Sequence, residues 1–230
     1  MSGASHDRHR DRLGHLRTPA TRTPAGQLPR RNDLVQLDPV RRSRPRRRAA
    51  RPTAGGHVLD LGCEKGGNAV HLASLGMHAA GVDVSPAQLR AAGQRWGEVP
   101  GLELHHTEAI IYLQSGGEPF DAAYSVYGAV WFTDPGLLLP VLRERLRPGG
   151  RLVFSQRPPV EGCYSCQASY IPRGADEDPL VVKRWDYGPA VWAQQLTAHG
   201  FVGARAIVLN APPGRHEVGT LIVEARASHP

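Results

Sequence analysis

The sequence predicts an α/β fold, a seven-stranded and mostly parallel sheet that ends in an antiparallel hairpin. Three observations predict it. From residue 57 onward, short apolar runs alternate with segments of helical periodicity. Two of these runs end in an acid, Asp60 and Asp83, and a turn follows each. The last two apolar runs have no helix between them, which calls for a hairpin carrying an antiparallel edge strand.

Each element has its own signal. His57–Leu61 reads as a short buried strand. Asn68–Leu75 reads as a helix whose apolar positions are Val70, Leu72, Ala73 and Leu75, stopped by Gly76. Ala79–Val84 is the second strand. Ser85-Pro86 supplies a cap and a first-turn proline for a helix over Ala87–Trp96. Leu102–His106 alternates as a third strand, and Phe120–Val126 is the fourth. Gly136–Leu146 reads as a helix closed by Arg147-Pro148-Gly149-Gly150, before a fifth strand at Arg151–Ser155. An irregular stretch follows. Pro189–His199 is a helix ended by Gly200. Phe201–Leu209 and Gly219–Ala227 are the last two strands, separated by a Pro-Pro-Gly turn.

Composition divides the chain in two. Residues 1–54 carry 14 Arg, no Lys and 4 Asp, a charge of +10, and the remainder carries −3 of the total +7. The first segment is rich in Arg, Pro, Thr and Gly and poor in large apolar residues. A disordered basic tail is therefore expected. Its residues 41–48 suit phosphate binding, and so nucleic acid, or an organelle targeting peptide. The abrupt break near Gly55 also fits an incorrect start or a frame shift in a GC-rich gene. Residues 55–230 are long enough for one α/β domain with a full core. No apolar run reaches 18 residues, so no membrane span is expected. Three scattered cysteines make no disulfide framework, and a reducing cytoplasm is the expected setting.

The stretch from Val58 to Ala69 carries the functional signal. A strand ends in an acid, a glycine-containing turn follows, and a helix begins, which builds a nucleotide-type cofactor site at the carboxyl end of the first strand. Asp83, ending the second strand, can hold ribose hydroxyls. The pair points to an adenosine cofactor.

Four segments in order then resemble the class I S-adenosylmethionine-dependent methyltransferases, of small-molecule type, over about residues 56–227. They are Val58-Leu59-Asp60-Leu61-Gly62-Cys63, Gly81-Val82-Asp83-Val84-Ser85, Phe120-Asp121-Ala122-Ala123-Tyr124-Ser125 and Leu146-Arg147-Pro148-Gly149-Gly150-Arg151-Leu152. The resemblance implies a Rossmann-like sheet and S-adenosyl-L-methionine as cofactor. It implies that Asp60 approaches the cofactor's amino group and that Gly62 and Gly66 let the backbone pass its methionine portion. Asp83 would accept from the ribose hydroxyls, Val84 would pack beside adenine, and Glu108 would meet the adenine amino group. Ser125 would present its backbone where strand four ends. Cys63, Glu64 and Ala109 complete the expected cofactor-binding set. Glu64 departs from the family, which usually has glycine there; its side chain could crowd the ligand or meet the cofactor's ammonium. The helices that usually precede strand one also have no counterpart in residues 1–54.

Methyl transfer from a sulfonium needs position and dryness more than a fixed catalytic motif. The sequence therefore assigns no catalytic residue, and offers His105, His106, Tyr127 and Trp131 as candidates, each with packing as the competing role. Residues 156–187 are the expected substrate lid, with Tyr164, Tyr170, Trp185, Asp186 and Tyr187 as aromatic and polar wall. Cys163-Tyr164-Ser165-Cys166 has metal-pair spacing but lacks partners, so no metal is expected. An RNA or protein methyltransferase using the basic tail, and a non-catalytic relic of the fold, are the alternatives. A nicotinamide-dependent oxidoreductase would need Gly-x-Gly-x-x-Gly after strand one, which Gly62-Cys63-Glu64-Lys65-Gly66-Gly67 does not supply.

Overall fold

The computed structural model describes residues 55–171, 173, 177–211 and 218–229. The basic tail, with its residues 41–48, and the Pro-Pro-Gly turn lie outside them. The strands are β1 (His57–Leu61), β2 (His78–Asp83), β3 (Leu102–His106), β4 (Phe120–Val126), β5 (Leu146–Gln156), β6 (Ser165–Ile171), β7 (Leu180–Asp186), β8 (Phe201–Leu209) and β9 (Thr220–Ala227). The helices are α1 (Gly67–Ser74), α2 (Pro86–Trp96), α3 (Ala109–Gln114), α4 (Ala129–Phe132), α5 (Pro135–Arg145) and α6 (Pro189–Ala198).

Seven strands form one sheet in the order β3-β2-β1-β4-β5-β9-β8. The first five are parallel, and β9 runs antiparallel between β5 and β8. This is the expected Rossmann-like sheet with its C-terminal hairpin. The chain reverses its direction of travel across the sheet between β1 and β4. In such sheets that switch point opens a crevice at the carboxyl ends of the strands, where ligands bind.

Alternation along β1 builds both layers. Leu59 and Leu61 face a core that includes Leu138, Leu142, Phe154 and Trp192, under α3, α5 and α6. Val58 faces the other way, onto Ala69, Ala73 and Met77 of the α1 layer. Asp60 shares that second face by its spacing from Val58.

The structure adds elements that the periodicity does not reveal. Helices α3 and α4 have six and four residues, too short for a repeating apolar face. β5 begins at Leu146, five residues early, because the Pro148-Gly149-Gly150 turn is a bulge within the strand; register passes from Phe120↔Leu146 to Ala122↔Arg151. The lid region holds a separate two-stranded sheet, β6 against β7.

At the amino edge, two of the four sequence motifs meet. Arg147 Nη1 donates to Asp121 Oδ2 at 2.6 Å, and the His57 backbone N–H donates to the same oxygen at 2.8 Å. A cleft of about 270 Å³ opens there beside His57, His78, Glu118 and Arg145. It lies at the opposite end of the strands from the switch point.

Candidate functional site

The switch point is lined by the loops after β1, β2 and β4. The first loop is tied down by backbone. Gly62 and Cys63 both donate to Val82 O, at 2.8 and 3.1 Å, and Gly66 donates to Cys63 O at 2.8 Å. Gly62 has φ +84, and a Cβ there would lie 2.5 Å from Ala129 N and 2.7 Å from Gly128 Cα. A Cβ on Gly128 would in turn lie 2.4 Å from Leu61 O. The β1 and β4 loops thus touch backbone to backbone. Gly66 works differently. It takes φ +72 as the N-cap of α1, and a Cβ would make only ordinary contacts with Ala92, Leu104 and Trp96. Its left-handed conformation is itself a reason for glycine there.

Asp60 is buried at the floor of this crevice, flanked in register by Gly81 of β2 and Tyr124 of β4. Its Oδ2 has no hydrogen-bond partner among the described residues. Burial pushes its carboxyl up to about 7; the Tyr124 hydroxyl offsets part of this, while the Asp83 and Glu64 charges add to it. Tyr124 Oη lies close enough to favour the Asp60 charge without reaching hydrogen-bond geometry. The Cys63 thiol is buried beside Gly81, whose missing Cβ makes room for it. Burial and then the charge of Asp60 raise its pKa, so it stays a neutral thiol.

Asp83 ends β2 with each oxygen engaged once. Oδ2 accepts from Glu64 N–H at 2.9 Å and Oδ1 from Ser85 N–H at 2.8 Å. Carboxylate oxygens carry further acceptor capacity, so both can still receive a ligand diol. Glu64 is exposed with φ +48. Val84 is 63% exposed, an apolar surface beside the acid. Glu108 is exposed at the N-cap of α3, and Ala109 is buried behind it. Ser125 is buried; its hydroxyl donates to Leu61 O at 2.7 Å and accepts from Val130 N–H at 3.3 Å. It stitches the two loops together.

The histidine pair separates. His105 is in register with Val82 and its ring lies 4.7 Å from that of Tyr112, on the α3 side of the sheet and away from the crevice. His106 is in register with Asp83, and its Nε2 lies 3.1 Å from Val84 O at the crevice rim.

Beyond β4 the walls are made by side chains. Tyr127 takes φ +51, donates its backbone N–H to Ser155 O at 2.8 Å, and places its phenol 2.7 Å from Thr220 Oγ1. Trp131 is buried, edge-on to Tyr127, and its Nε1 donates to Asp186 Oδ1 at 2.8 Å. Asp186 also accepts from Arg184 Nε at 2.8 Å. Gln156 donates to Trp185 O at 3.1 Å. The β6–β7 hairpin is therefore pinned at its root to α4 and β5, while Tyr170 and Val181 stand exposed on its body. The Trp131–Asp186 tie spans 55 residues, and no sequence spacing announces it. Among the described residues no cluster of three or more His, Cys, Asp or Glu could hold a metal.

Comparison with known proteins agrees with this layout. Residues 58–150 match the family model described as a methyltransferase domain. The O-methyltransferase cnsE of Penicillium expansum is 32% identical over 107 residues, 45% of this chain and 39% of that protein. The ubiquinone biosynthesis O-methyltransferase of Xylella fastidiosa is 31% identical over 124 residues, 53% of this chain and 49% of that protein. The chain thus spans half or less of these relatives' length. The crystal structure of the Burkholderia thailandensis 1,6-didemethyltoxoflavin-N1-methyltransferase, with bound 1,6-didemethyltoxoflavin and S-adenosylhomocysteine, matches with a TM-score of 0.54 at 22% identity, over 76% of this chain and 72% of that one. That likeness is one of fold.

Proposed function

We infer that this chain, a member of the class I S-adenosylmethionine-dependent methyltransferase family, transfers a methyl group from S-adenosyl-L-methionine to a small molecule. One observation carries the reading: a buried carboxylate oxygen of Asp60 stands without a partner at the switch point, one strand from the acid Asp83. An unpaired buried acceptor is costly unless a ligand donor completes it. The ammonium of the methyl donor is such a group, and its ribose diol suits Asp83. Val84 supplies the apolar wall for adenine. Gly62, Cys63, Glu64 and Gly66 form the loop along the methionine portion, while Ser125 holds the β4 side against it. Glu108 and Ala109 border the adenine end.

When bound, the donor supplies an electrophilic methyl on a good leaving group. The protein's part is then to align an acceptor and exclude water. We assign Tyr127, fixed by Thr220, and the Trp131–Asp186 pair to the acceptor wall, and the 156–187 region to a lid above it. His106 borders the adenine end beside Val84, away from the acceptor wall, so we assign it no proton transfer. His105 is left to packing. The small-molecule assignment draws support from the O-methyltransferases of P. expansum and X. fastidiosa and from the toxoflavin precursor bound to the B. thailandensis enzyme. Such acceptors include secondary metabolites. No helix among the described residues is long and apolar enough to cross a membrane, and three free cysteines fit a cytoplasmic setting.

The test is calorimetric titration with S-adenosylmethionine, followed by incubation with labelled donor and metabolite extracts and mass spectrometry of the labelled product. Micromolar binding and a labelled small molecule are expected. No binding at millimolar donor overturns the reading.

A further inference from the structure

Resting on the methyl-donor reading, we propose that Glu64 makes the donor site charge-selective, so that it holds the cationic methyl donor in preference to its neutral demethylated product. The site already has two acids, Asp60 at its floor and Asp83 at its rim. Glu64 adds a third without disturbing the loop. Its φ of +48 keeps the left-handed turn that a glycine would adopt without strain. Its N–H donates to Asp83 Oδ2 at 2.9 Å, which fixes the two acids relative to one another. Its side chain is exposed above the loop instead of buried within it. Burial and then the neighbouring acids raise the Asp60 and Cys63 pKa, and the Glu64 charge adds the last increment to each. Asp60 Oδ2 has no hydrogen-bond partner among the described residues, in a residue that is 2% exposed. Lys65, the adjacent cation, is exposed, and its carbonyl is held by Trp96 Nε1 at 3.0 Å.

The two ligands differ in charge where these acids converge. S-adenosylmethionine carries a sulfonium, an ammonium and a carboxylate, a net charge of one. S-adenosylhomocysteine has lost the sulfonium and is neutral overall. Both can satisfy Asp60 through the ammonium. At the ammonium, which both carry, an additional negative charge favours both alike; at the sulfonium it favours the donor alone. Selectivity of this kind lets product leave while donor is retained.

The test is calorimetry on the full chain with both ligands, for wild type, Glu64→Gln and Glu64→Gly, at low and high salt. The donor-to-product affinity ratio is expected to fall about fivefold in Glu64→Gln, the size of one partly screened charge at close range. The loss should come from donor affinity, with product affinity little changed. High salt should bring the wild-type ratio towards that of Glu64→Gln. An equal ratio in wild type and Glu64→Gln overturns the proposal. Equal tightening of both ligands in Glu64→Gly also overturns it, and assigns Glu64 to crowding. Wild type that binds neither ligand overturns the methyl-donor reading itself.

Discussion

The two edges of the sheet use the same kinds of residue and end in opposite electrical states. At the amino edge, Asp121 takes Arg147 and the His57 N–H, and Glu118 lies 3.6 Å from His57 Nε2 and 3.8 Å from Arg147 Nη2. Charges there answer one another. At the carboxyl edge, Asp60 is buried with an unmatched oxygen, Asp83 receives two backbone N–H groups, and Glu64 faces solvent. Two non-glycine residues with left-handed backbone, Glu64 and Tyr127, sit at that edge. Polar groups that satisfy one another build a frame. Groups left unmatched, on backbone held under strain, are prepared for a ligand.

Four experiments break or sharpen this contrast. The largest effect belongs to Gly62→Val at the seam between the loops. Its Cβ would meet Ala129 N at 2.5 Å, and a side chain at positive φ adds strain. A loss of more than about 3 kcal/mol in urea unfolding is expected. A wild-type midpoint would remove the seam from the account. Next is Asp83→Ala, which should weaken S-adenosylmethionine about 100-fold in calorimetry, for two charge-assisted bonds lost. Undiminished affinity would deny the carboxyl edge its role.

The third concerns Asp60, whose carboxyl is pushed up to about 7. Below that pH the empty protein holds Asp60 protonated, whereas an ammonium ligand prefers it ionised. Affinity should therefore rise about tenfold per pH unit up to about 7 and level off above. Stability of the empty protein runs the other way. The folded state keeps a proton that the unfolded chain loses near 3.8, so stability falls as pH rises from about 4 to about 7. Asp60→Asn should flatten both slopes. The smallest effect is at the frame. Arg147→Ala should cost about 1 kcal/mol in unfolding, since the pair is partly exposed, and leave donor affinity unchanged. A large affinity loss there would erase the distinction between the edges.

The sequence displays this molecule unevenly, for physical reasons. Asp60 and Asp83 were legible because each ends an apolar run, and strand ends in an alternating α/β chain converge on one edge. The terminal hairpin was legible because two strands lack a helix between them. Register was not. It separates His105 from His106, adjacent letters whose side chains leave opposite faces of β3. It also brings together Arg147 and Asp121, from two separate segments of the family likeness, as an ion pair at the far edge. The contacts beyond β4 were least legible: Trp131 and Asp186 stand out singly, but their hydrogen bond, and that of Gln156 to Trp185 O, arise through packing that no periodicity encodes. Helices α3 and α4 are too brief to leave a pattern.

The contact between Gly62 and Gly128 bears on how such a protein can be altered. Neither position can gain a methyl group while the other backbone stays in place. The loop after β1 and the loop after β4 are therefore one heritable unit. A chimaera that imports a new β4–α4 loop must bring a glycine at 128, or import the β1–α1 loop with it. No such constraint holds at Tyr170 and Val181, which stand exposed on the body of the β6–β7 hairpin.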